Sequence, residues 1–79
     1  MATMDEALKK LLERLAVNLK KYRIARGISQ HELSRRSGVS CCIINWMEAG
    51  KRYNITLKTL VRLAEALGVK FAELFHGQG

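Results

Sequence analysis

Proline is absent from this sequence, and with it the strongest breaker of helix interiors. β-Branched residues are scattered and never gather into a run, so nothing marks a strand. Cysteines and histidines number two each. Cys41 and Cys42 are neighbours, and adjacent helix positions do not face each other, which argues against an intrachain disulfide or a shared metal site. His31 and His76 supply no zinc-ligand spacing, and no Ser/His/Asp or paired-carboxylate grouping is visible. The expectation is therefore a protein that is no enzyme, with no catalytic residue, no metal and no cofactor. No apolar run approaches membrane-spanning length and no signal-peptide core opens the chain, so no membrane partner and a cytoplasmic location are expected.

Acids are scarce where bases are plentiful. Between residues 14 and 52 stand nine Lys and Arg but only two acids, Glu32 and Glu48, so the whole net charge of +7 lies there. A basic block on a folded core suits a polyanionic partner, although charge alone fits a solubilising surface equally well. With 79 residues the chain is expected to be one domain over 1–79, without room for an effector module or a small-molecule pocket of ordinary size.

What is present is helical periodicity. Thr3 with Glu6 has the form of a capping box, and Met4, Leu8, Leu11, Leu12, Leu15, Leu19 and Tyr22 recur at spacings of three and four. A first helix is predicted from about residue 4 to about residue 26, ending at Gly27. Ser29 and Glu32 open a second, short helix over about 30–37, stopped by Gly38. Ser40 caps a third that continues to Met47 or Glu48 before Gly50. Thr56 caps a fourth, with Leu60, Leu63, Ala64 and Leu67 on one face, ending at Gly68. A last short helix holds Phe71, Leu74 and Phe75. The fold class predicted is all-α, a compact five-helix bundle with an extended first helix.

Two short helices joined by Gly38-Val39-Ser40 match the helix-turn-helix unit, expected over about residues 29–49. If Ile44 and Met47 face the core, then Cys42, Asn45, Trp46 and Ala49 point outward at 100° per residue. Such a face fits a major groove about 12 Å wide, and the Asn45 amide suits the N6 and N7 edge of adenine. The bland alternative for Asn45 is a solvated helix residue.

The stretch from Ser29 to Ser40, with Ile44-Asn45-Trp46-Met47-Glu48-Ala49-Gly50 and the Leu63-Ala64-x-x-Leu67-Gly68-Val69 close, resembles the phage-repressor-like (XRE) helix-turn-helix family. The resemblance covers about Leu19 to Phe75 and rests on the joint spacing of Gln30, Leu33, Gly38, Ile44, Glu48 and Gly50. It implies a lambda-repressor-like domain that binds double-stranded DNA as a homodimer and regulates transcription, as a phage-type repressor or a restriction-modification controller. The base-reading positions are then Cys41, Cys42, Asn45 and Trp46. Cysteines stand where the family usually has polar readers, and they suit thymine methyl groups better than hydrogen bonding. Trp46 either packs at the groove edge or covers Ile43.

Phosphate contacts are expected from Gln30, Ser40, Lys51, Arg52, Tyr53 and Asn54. Arg23 and Glu48 correspond to an internal ion pair, and Leu67, Val69, Phe71, Leu74 and Phe75 to a dimer interface. The extra turns of the first helix either pack on the core or touch a second subunit. Two other readings stay open: an antitoxin-type module whose main partner is a toxin protein, and a helical adaptor that has lost DNA binding. The adaptor's mark is acid on the outward face of the third helix, where there is none.

Overall fold

The computed structural model describes residues 3–51 and 55–77. It holds four α-helices, α1 (Met4–Ala25), α2 (Gln30–Ser37), α3 (Cys41–Glu48) and α4 (Leu57–Leu67), followed by a 3-10 helix (Phe71–Phe75). Each α-helix opens on a side-chain oxygen. Thr3, Ser29, Ser40 and Thr56 accept from the backbone N–H three residues on, satisfying a donor that the helix itself leaves bare. The ends of α2 and α4 turn through Gly38 and Gly68, both in the left-handed region at φ of +76° and +70°.

The fifth helix predicted from the sequence is a 3-10 turn instead. Its Glu73 N–H bonds back to the Lys70 carbonyl, three residues away, and the His76 N–H bonds to that of Glu73. Five residues leave little room for i→i−4 bonds, and the tighter ladder satisfies the backbone sooner. Asn18, buried in α1, satisfies two carbonyls at the end of this segment. Its amide nitrogen donates to the carbonyls of Leu74 and His76, each at 2.9 Å.

Leu15 and Leu19 of α1, Leu33 of α2, Val39 of the turn, Ile44 and Met47 of α3, Leu60, Leu63, Ala64 and Leu67 of α4, and Leu74 form one buried cluster. Leu67 and Leu74, expected at a subunit contact, lie buried in the protomer's own core. Val69 and Phe75 are half-buried and Phe71 is exposed. The stripe on α1 outruns this core. Leu15 is buried and Leu12 half-buried against the cluster, while Leu8 and Leu11 remain 37% and 41% exposed. No helix among the described residues is long and apolar enough to cross a membrane.

Candidate nucleic-acid interface

The presentation of α3 begins in the turn before it. Gly38 closes α2 by donating to the Ser34 carbonyl at 2.9 Å, and the buried Ser37 hydroxyl accepts from the Val39 N–H at 3.1 Å. Val39 drops into the core as a pivot, and Ser40 then caps α3 through the Ile43 N–H at 3.2 Å. With Ile44 and Met47 buried on its inner side, α3 turns Cys42, Asn45, Trp46 and Ala49 to solvent. Cys41 is half-buried at the edge of that face, and both thiols are free. Trp46 is 43% exposed, and Ile43 packs half-buried against the core.

The far end of α3 is fixed as firmly. Gly50, at φ +72°, donates to Met47 O and the Lys51 N–H to Trp46 O, both at 3.1 Å. Lys51 is exposed beside this end. Arg52, Tyr53 and Asn54, expected to hold phosphates, lie outside the described residues.

Arg23 and Glu48 meet in a two-pronged ion pair. Arg23 Nε donates to Glu48 Oε2 at 2.7 Å and Nη2 to Oε1 at 2.9 Å, with side-chain exposures of 13% and 4%. The Glu48 hydrogen bond raises the Arg23 pKa against the opposing effect of burial, so the guanidinium stays charged at every working pH. Its remaining arm donates to the Ile28 carbonyl at 2.8 Å, which pins the α1–α2 corner. Gln30 is drawn into the same cluster, its Nε2 donating to Glu48 Oε1 at 3.1 Å.

On the exposed side of α2, Glu32 accepts from both Arg35 and Arg36, which lowers its pKa, Arg35 contributing most. The two acids of the basic block are thus both engaged by arginines. Sequence reasoning missed the Glu32 clamp, although its spacings of three and four residues were visible. It also missed Asn18 and the bond from Arg26 Nε to the Leu67 carbonyl at 2.7 Å, contacts spanning 56 and 41 residues that no local pattern announces.

Comparison with known proteins agrees with this geometry. The helix-turn-helix family profile matches residues 19–74, most of the chain. The chain belongs to the helix-turn-helix family. As a member it is a DNA-binding regulator of transcription. It is 39% identical over 67 residues to control protein C.SmaI of Serratia marcescens, a match covering 85% of this chain and 79% of that protein. It is 38% identical over 60 residues to a Neisseria meningitidis protein named as a hypothetical transcription factor. That match covers 76% of this chain but only 56% of the relative, so the chain spans about half of that protein's length. The crystal structure of the restriction-modification controller protein C.AhdI from Aeromonas hydrophila superposes with a TM-score of 0.75 at 34% identity, covering 81% of this chain and 96% of that one.

Proposed function

We propose that the protein binds a palindromic operator as a homodimer, with α3 of each subunit in a major groove, and acts as a controller of a restriction-modification gene set. The observation that carries this reading is the outward face of α3. It is free of acid, held at both ends by hydrogen-bonded caps, and set in a segment whose two acids are already paired. Asn45 reads adenine through its two-pronged amide, while Cys41 and Cys42 contact thymine methyl groups. Trp46 lies at the groove edge. Gln30, Ser40 and Lys51 hold the flanking phosphates, together with Arg52, Tyr53 and Asn54.

A homodimer is proposed because one helix reads too few base pairs to define a site, and two-fold pairing places two readers about 34–36 Å apart. With Leu67 and Leu74 inside the core, the partner-facing set narrows to Val69, Phe71 and Phe75, beside the exposed Leu57 and Val61 of α4. The names of C.SmaI and C.AhdI favour the controller role.

Selection from a random duplex pool tests this reading. The expected outcome is an enriched inverted repeat with half-site centres one helical turn apart, bound far more tightly than random DNA. Enrichment of no sequence, with only salt-sensitive general binding, would refute it.

A further inference from the structure

Glu48 is the last residue of α3, yet its carboxylate reaches two other elements. Oε2 accepts from Arg23 Nε, and Oε1 accepts from both Arg23 Nη2 and Gln30 Nε2. A carboxylate paired with a guanidinium is ionised and can only accept, so the amide nitrogen of Gln30 must face it rather than the amide oxygen. That choice is chemical, and it removes the usual two-fold ambiguity of a glutamine amide. An amide nitrogen carries two hydrogens in one plane. With one directed to Glu48 Oε1, the other points away from the carboxylate, and among the described residues it has no acceptor. Gln30 is the first residue of α2 and only half-buried, and its bond to Glu48 is itself part-buried rather than enclosed.

We propose that Glu48 is a positioning residue for phosphate binding, holding the Gln30 amide so that its second N–H is presented to the DNA backbone. The proposal rests on the reading of Gln30 as a phosphate contact. A free glutamine side chain must lose rotamer freedom to make such a contact, and here that ordering is completed before DNA arrives. The same carboxylate fixes the corner between α1 and α2 through Arg23. The end of the reading helix and the phosphate contact on α2 are thereby tied to one group.

Operator binding by four proteins tests this: the unaltered chain, Gln30→Ala, Glu48→Asp and the double variant. Glu48→Asp keeps the charge opposite Arg23 but withdraws the oxygens from Gln30 by one methylene. Gln30→Ala is expected to weaken operator binding about tenfold in the unaltered chain, as for a hydrogen bond to a charged group, and no more than about twofold beside Glu48→Asp. The slope of log K against log salt should not move with Gln30→Ala, since no charge is removed. The same factor in both backgrounds overturns the positioning role.

Loss of helicity in Glu48→Asp would leave the unaltered protein to decide. In its nuclear magnetic resonance spectrum, operator should shift one of the two Gln30 amide hydrogens far more than the other, and equal shifts overturn the proposal. No effect of Gln30→Ala on a protein that still selects its operator overturns this inference alone. A protein that selects no sequence overturns both it and the functional reading.

Discussion

At the scale of single residues, the Arg23–Glu48 pair bears first on folding. Both side chains are nearly withdrawn from solvent, so removing one partner strands the other's charge. Arg23→Met is expected to cost roughly 3 kcal/mol or more of stability, measured by denaturant unfolding. The Glu32 clamp behaves differently because it is exposed. Its carboxyl is held below the usual range by Arg35 and then Arg36, so the folded state binds its proton less readily than the unfolded chain. That contribution is present near neutrality and is lost as the pH falls through the lowered range. Glu32→Gln should therefore lower Tm slightly at pH 7 and leave it unchanged at pH 2, when scanned at both. Lys51 is exposed beside the end of α3 and is proposed as a phosphate contact. Lys51→Ala is expected to weaken all duplexes alike and to reduce the salt slope by about 1, measured by titration at several salt concentrations. The pair was legible only through family resemblance. Gln30's bond to the same carboxylate was not, because sequence shows a residue's type and not which of two surfaces it turns to.

At the scale of elements, most helices were legible because their ends are chemically marked. Thr3, Ser29, Ser40 and Thr56 are hydroxyl caps, and four glycines sit at positive φ, where other residues are strained. Gly38 shows that conformation, not crowding, is the constraint, since a Cβ there would meet nothing within 4 Å. Gly38→Ala is expected to cost about 1 kcal/mol from the left-handed backbone alone, measured by thermal unfolding. The last short helix was legible, but its 3-10 form was not, because aromatic and leucine spacing does not report how a short segment satisfies its carbonyls. Asn18, 56 residues before Leu74, decides that. Asn18→Leu would leave two carbonyls without their donor, and faster amide exchange is expected in residues 71–77 than in α4.

At the scale of the whole molecule, a core drawn from all five elements supports one acid-free helix face, and the remaining question is what that face does. The extended first helix was read correctly in length, but its purpose was left between core and partner. The structure divides it, with Leu15 inside and Leu8 and Leu11 at the surface. Periodicity could not show this, because a stripe looks the same whether or not the body is long enough to cover it. Dimerisation is expected to make operator occupancy steeper than for a single-site binder, and sedimentation across the range of operator binding checks it. The central claim, that the outward face of α3 reads bases, is tested most directly by selecting duplexes with the unaltered protein and with Asn45→Ala in parallel. The variant is expected to keep the same inverted repeat while one symmetry-related pair of positions loses its preference. An identical repeat from both proteins, with every position equally sharp, would contradict it.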